Sequence, residues 1–173
     1  MTCIWGPGRH ARLQLAVGLA LLVLVGRPGA AVSNRGPVFE ATVVKVADGD
    51  SITVLRGEEE VRIRLEGIDC PEHRQPYSVV AKKFTSGMVF QQRVTVRVLD
   101  RDRYGREVAR VTKEGRDVSV ELLRAGLAWH YKSFNQEEEL ARLETEARQT
   151  RRGLWADPHP IPPWQWRRTH PRN

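Results

Sequence analysis

Two short acidic stretches, Ala47–Ser51 (ADGDS) and Ile68–Glu72 (IDCPE), supply Asp48, Asp50, Asp69 and Glu72. Each stretch alone has an ordinary reading. Asp-Gly is a common hairpin signal, and acids beside a proline suit the end of a strand. They flank a single meander, however, so both corners can meet at one end of a sheet. Several oxygen donors at one place suit Ca2+, which takes carboxylates, carbonyls and water. The further acids and closing Glu of an EF-hand loop are missing, so spacing alone does not define a metal site. Two arginines sharpen the pattern. Arg64 lies on the polar face of VRIRL just before Asp69, and Arg106 follows DRYG. Guanidinium forks match phosphate oxygens in pairs, and two beside a cation would stabilise the charge gained in an in-line displacement. Glu72 is then placed to orient or deprotonate the attacking water. For either arginine alone, a surface salt bridge is the first expectation.

Other chemistries are poorly served. The five histidines, His10, His73, His130, His159 and His170, are scattered, and none has a second ligand at metal spacing. His73 reads as a loop residue beside Glu72. Cys70 lies between an acid and a proline with no evident base, a poor setting for a thiolate nucleophile.

The elements that must position these residues are short. Val38–Val46, Ser51–Leu55 and Val61–Leu65 read as three strands of a meander, turning at Asp48-Gly49 and Arg56-Gly57. Tyr77–Phe90 reads as a helix, with Val80, Phe84 and Met88 at four-residue spacing. Arg93–Asp100 and Val108–Thr112 supply a fourth and a fifth strand around the turn at Gly105. Val118–Ala125 reads as a short helix stopped by Gly126. Glu137–Arg152 is a longer helix, with Leu140, Leu143 and Ala147 on its apolar stripe and Gly153 as its stop. Five strands with about three helices predict an α+β domain built on a small five-stranded barrel of the OB-fold type. The tail from Asp157 (DPHPIPPWQWRRTHPRN) is too rich in proline for a helix or central strand. Trp164 and Trp166 are expected to pack on the body, with base stacking as the alternative.

Composition bounds the rest. The chain has 173 residues, with 28 Lys plus Arg against 21 Asp plus Glu. Only Lys45, Lys82, Lys83, Lys113 and Lys132 are lysines. A basic surface favours polyanions but does not define a fold. Arg9 and Arg12 precede an apolar run, Leu13–Gly26, and small residues at Gly29 and Ala31 follow it. That order predicts a secretory signal over 1–31. Its apolar run falls short of the roughly 20 residues that span a bilayer; a retained N-terminal anchor is the alternative. Cleavage after Ala31 removes Arg9, Arg12, Arg27 and Cys3, leaving 25 basic against 21 acidic residues and Cys70 as the single thiol. The chain then divides into the signal, a lead-in over 32–37, a domain over 38–156 and a tail over 157–173, with no internal disulfide.

ATVVKVADGDSITV, VRIRLEGIDCPE, DRDRYGREVARV, LLRAGLAW and GLW stand in an order that resembles the staphylococcal nuclease (thermonuclease) family over about Phe39–Trp155. The resemblance implies a Ca2+-dependent phosphodiesterase that hydrolyses DNA and RNA to products with 3′-phosphates. It implies Asp50, Asp69 and the backbone carbonyl of Cys70 as Ca2+ ligands, with Asp48 an accessory acid acting through water. Arg64 and Arg106 would hold the scissile phosphate and Glu72 would act on the water. Arg103, Tyr104 and Tyr131 would contact the nucleotide. Three departures stand out: Cys70 replaces a threonine, the loop HRQPYSVV is shorter, and Tyr131 matches its aromatic with a slip of a couple of residues. The expectation is therefore an exported nuclease, secreted or periplasmic. It would be monomeric, with no obligate protein partner and no membrane span after cleavage. The alternative is an OB-fold module that binds single-stranded nucleic acid without cutting it. The presence of both the acids and the arginines favours the enzyme.

Overall fold

The computed structural model describes residues 1–3 and 36–171, so the proposed signal's apolar run lies outside the described residues. In chain order the elements are β1 (Val38–Val46), β2 (Ser51–Arg56), β3 (Glu59–Leu65), β4 (Ile68–Asp69) and α1 (Ser78–Val89). Next come β5 (Arg93–Arg101), β6 (Glu107–Lys113), β7 (Arg116–Asp117), α2 (Val118–Arg124) and β8 (Trp129–His130). They end in α3 (Glu138–Gln149), a 3-10 turn (Gly153–Ala156) and α4 (Pro163–Thr169).

β1, β2 and β3 form the expected meander, and β5 pairs with the other edge of β1. β5 and β6 form a hairpin, and β6 then pairs in parallel with β3, Arg64 opposite Val108. That last pairing closes five strands into a barrel, the predicted OB-type α+β fold. Its interior follows from period-two alternation: Val43, Val54, Ile63, Val96 and Val111 are fully buried. Each such side chain contributes about 1.5–3 kcal/mol on leaving water. A bulge in β1 between Val43 and Lys45 shifts the register, so that Val46 rather than Lys45 turns inward.

Two expectations are corrected. α1 starts and ends one residue inside the predicted Tyr77–Phe90, but its buried face is Ala81, Thr85 and Val89, while Val80 is exposed and Phe84 and Met88 are only partly buried. The spacing is helical either way, and small residues let the helix approach the barrel closely. The tail is also helical at α4. Pro162 caps it and Pro163 is its first residue, where the missing N–H costs nothing. The WQWRRT run that follows contains no proline before Pro171.

Three contacts arrange the site end of the barrel. β4 pairs with β8, setting Asp69 opposite Trp129. The Thr85 hydroxyl of α1 donates to the Gly49 carbonyl at 2.6 Å. A Cβ on Gly49 would lie 2.8 Å from the Cys70 sulfur and 2.9 Å from the Ala81 Cβ. The acidic turn therefore packs on Cys70 and α1 only because residue 49 has no side chain. Gly49→Ala is expected to destabilise the domain by about 1–3 kcal/mol through overpacking. A lower urea midpoint at unchanged m-value is the readout.

Candidate active site

The β1–β2 turn presents its acids through its own hydrogen bonds. The Ala47 N–H donates to the Ser51 carbonyl at 2.8 Å, and the Asp50 N–H donates to Asp48 Oδ1 at 3.2 Å. Asp50 is then tied to the second acidic stretch, since the Cys70 N–H donates to Asp50 Oδ2 at 2.6 Å. The Asp50 carbonyl accepts from the Leu65 N–H at 2.8 Å, fixing the turn to β3. Two stretches separated by about twenty positions thus form one corner, as the meander predicted.

Arg64 holds that corner together. Its Nη1 pairs with Asp50 Oδ2, and its Nη2 donates to Asp69 Oδ1 at 2.7 Å and to the Ile68 carbonyl at 3.0 Å. Asp50 is 4% exposed and Asp69 1%. Burial pushes the Asp50 carboxyl up, but the Arg64 charge, its hydrogen bond and the Cys70 N–H outweigh that and hold it below the ordinary carboxylate range. Asp69 ends above its ordinary value because burial, with the Asp50 charge beside it, outweighs its arginine partners. Burial and the Asp50 charge raise Asp48 to about 7. The Arg64 guanidinium loses hydration on burial, yet Asp50 and Asp69 keep it firmly protonated.

Arg106 approaches from the β5–β6 turn. Asp102 accepts from the Arg106 backbone N–H at 2.9 Å and from its Nε at 2.7 Å. Arg106 Nη1 donates to Ser51 Oγ at 3.1 Å, and Ser51 Oγ donates to Asp50 Oδ1 at 3.2 Å. The two predicted arginines therefore reach Asp50 from two directions, Arg64 directly and Arg106 through Ser51. Tyr104 stands exposed on the same turn with the Arg103 guanidinium 4.9 Å from its ring centroid. Tyr131 is more enclosed. It stacks on Trp164 at 5.7 Å with 6° between the planes, and Phe134 tilts against it at 4.7 Å. Beside it, Trp129, Lys132, Arg148 and Arg168 line a cavity of about 320 Å³. Cys70 is 3% exposed with its sulfur against Gly49, and burial pushes its thiol well up, in keeping with an unreactive side chain. His73 is an exposed loop residue.

Glu72 sits in a fixed loop, its N–H donating to Gln75 Oε1 at 2.9 Å. Its carboxylate meets a residue that the sequence reading did not foresee. Arg167 of α4 donates from Nη1 to Glu72 Oε1 at 2.7 Å, and spans both oxygens of Asp69 at 3.2 and 2.9 Å. Among the described residues, no three Asp, Glu, His or Cys side chains are gathered around one point as in an assembled metal centre. The acids of this corner face guanidinium groups instead. The available signal for Arg167 was the helical spacing of Trp164 and Arg167 between two prolines.

Comparisons with known proteins agree with this geometry. A family model described as staphylococcal nuclease homologue matches residues 62–157. Protein ParB of Escherichia coli is 40% identical over 170 residues, covering 92% of each chain. An uncharacterized endonuclease of Escherichia coli O157:H7 is 44% identical over 126 residues, 72% of this chain and 82% of that one. The micrococcal nuclease of Shigella flexneri is 32% identical over 164 residues, with 88% and 91% covered. A barrel closed by β3 and β6, an acid-and-arginine corner at its end, a family match over 62–157 and relatives aligned over most of the chain lead to one conclusion: the chain belongs to the staphylococcal nuclease homologue family of nucleic-acid hydrolases.

Proposed function

We propose that the chain is an exported, Ca2+-dependent, sugar-nonspecific endonuclease that cuts DNA and RNA and leaves 3′-phosphates. The observation that carries this reading is the buried corner in which Asp50 and Asp69 share the Arg64 guanidinium, with Asp48 adjoining. The donor set fits a hard divalent cation. It offers only oxygen: Asp50, Asp69 and the Cys70 carbonyl would hold the cation, and Asp48 would act on it through water. Bound there, Ca2+ would polarise a phosphoryl oxygen.

The chain's own groups supply the remaining requirements. Asp102 and Ser51 hold Arg106 through Nε and Nη1, and neither contact uses Nη2, which is suited to a phosphate oxygen. Glu72, on a loop fixed by Gln75, orients or deprotonates the attacking water. Tyr104 offers an exposed ring for a base, with Arg103 over it. Tyr131 lends an edge to the nucleotide while Trp164 supports its face. Export rests on the order of charges, apolar residues and small residues before Val32. Action as a monomer needs nothing from a second chain, since these groups all lie in this one.

Residues 32–173 incubated with single-stranded DNA should cut it in Ca2+, leave 3′-phosphates, and stop in excess chelator. Tight binding with no cleavage under either condition would replace the enzyme with a binding module. The two arginines should separate by readout. Arg106→Ala is expected to lower turnover at least about 100-fold, as for a lost transition-state donor, with little loss of stability. Arg64→Met leaves buried Asp50 without its cationic partner and Asp69 with Arg167 alone, and should cost about 3–5 kcal/mol of stability in the absence of Ca2+. Near-normal turnover for Arg106→Ala, or an unchanged melting curve for Arg64→Met, contradicts the corresponding role.

A further inference from the structure

The C-terminal helix α4 lies beyond the residues matched by the family model, yet it places a side chain in the acidic corner. Its delivery is mechanically well defined. Asp69 and Trp129 face each other across the β4–β8 pair. Trp164 packs edge-on against Trp129 at 5.5 Å and stacks on Tyr131. Residues three apart share one side of a helix, so the anchored Trp164 directs Arg167 back over Asp69. Upstream, the Gln75 amide donates to the Ile161 carbonyl at 2.6 Å, joining the Glu72 loop to the lead-in of α4.

The two guanidinium groups on these acids differ in access. The Arg64 side chain is 14% exposed, with both terminal nitrogens committed to Asp50, Asp69 and Ile68. The Arg167 side chain is 38% exposed and lies over the solvent side of Asp69 and Glu72. A cation entering on Asp69 would compete with Arg167 for those oxygens. Once displaced, Arg167 would remain tethered by Trp164 within reach of a phosphate at the same place. Charge balance supports its staying. Asp50, Asp69 and Glu72 with Arg64, Arg167, one divalent cation and one phosphodiester sum to zero, and the Arg106–Asp102 pair adds nothing to that sum. Without Arg167 the same assembly is left negative, which disfavours the phosphate.

We propose that Arg167 is a third arginine of the phosphodiester site, resting on Asp69 and Glu72 until a divalent cation takes the Asp69 oxygens and then contacting the substrate phosphate. This inference rests on the Ca2+-dependent nuclease reading. It gives the tail a role in the reaction that a structural clip would not have.

The test uses residues 32–173 as wild type, Arg167→Gln and Arg167→Ala, with Arg142→Gln as a charge-matched control, since among the described residues Arg142 forms its ion pair with Glu146 on α3. Calorimetric titration with Ca2+ alone, without nucleic acid, should show both Arg167 variants binding about fivefold or more tightly than wild type, because a competing cation is gone. At saturating Ca2+, the same variants should show a KM for single-stranded DNA raised about tenfold, as for lost phosphate binding, while Arg142→Gln matches wild type in both assays. Melting curves check that the variants are folded; Arg167→Gln preserves most of the side chain if Arg167→Ala loosens the helix. Unchanged Ca2+ affinity in folded variants, or an unchanged KM, overturns the assignment and leaves Arg167 a tail clip. Wild type that neither binds Ca2+ nor cuts DNA overturns the nuclease reading, and this inference with it.

Discussion

The pairing of one buried guanidinium with two buried aspartates is the constraint around which this molecule is arranged. Arg64 meets Asp50 and Asp69 at positions that are 4% and 1% exposed. Burying three charges carries a desolvation cost of several kcal/mol per ion, recovered only when geometry and supporting hydrogen bonds are good. The surrounding structure provides those bonds. Cys70 and Ile68 contribute backbone groups, Ser51 a hydroxyl, and the Asp50 carbonyl is taken by Leu65. The turn after β1, the body of β3 and the short β4 are thereby fixed to one another. A site with this much opposed charge is stable only while all three elements stay in register.

Closure of the barrel supplies that register. β3 is hydrogen-bonded to β2 on one side and β6 on the other, and Arg64 lies in both ladders, opposite Ser51 and Val108. The strand that carries the central arginine therefore cannot slip by one residue without turning Ile63 and Leu65 out of the core. The outer layer is held differently. Trp129, Trp155 and Trp164 make edge contacts, with Arg148 over Trp129 and Trp155 at 4.6 and 3.9 Å. This aromatic group seats the tail beside β8, and so beside Asp69. Buried Glu144 helps to hold the same region, accepting from the His130 N–H at 3.2 Å and facing Lys132 at 3.2 Å.

Much of this was legible in the sequence because it depends on local patterns. The five main strands follow from alternation, and their bounds fall within two residues of the observed ones. The convergence of Asp50 and Asp69 follows from a meander whose ends carry acids. The shared Arg64 follows from its place on the polar face between them. What sequence patterns missed is contact between distant elements. The two-residue pairs β4–β8 and β6–β7 are too short to show a period. The buried face of α1 depends on how closely the barrel lets a helix approach, so Ala81 and Thr85 replaced the bulkier Val80 and Phe84. The tail was misread because proline content was averaged over it, whereas its position matters: Pro162 and Pro163 start a helix that a proline inside would break.

That error bears on where the functional unit ends. A boundary at residue 156 encloses the barrel and three helices, and the family match closes at 157. Yet Asp48 and Asp50 precede the matched stretch, and Arg167 follows it, while all lie within the same charged corner or against it. The reason is topological. β2 lies beside β3, so residues before the match reach Arg64 along a hairpin. β8 lies beside β4, so whatever packs on Trp129 comes to rest near Asp69. Arginine also suits that last position. A planar fork can span both oxygens of Asp69 and still reach Glu72, which the single ammonium of a lysine would match only in part. The working unit is therefore the barrel together with its docked C-terminal helix, because the electrostatics of Asp69 and Glu72 include a residue from that helix.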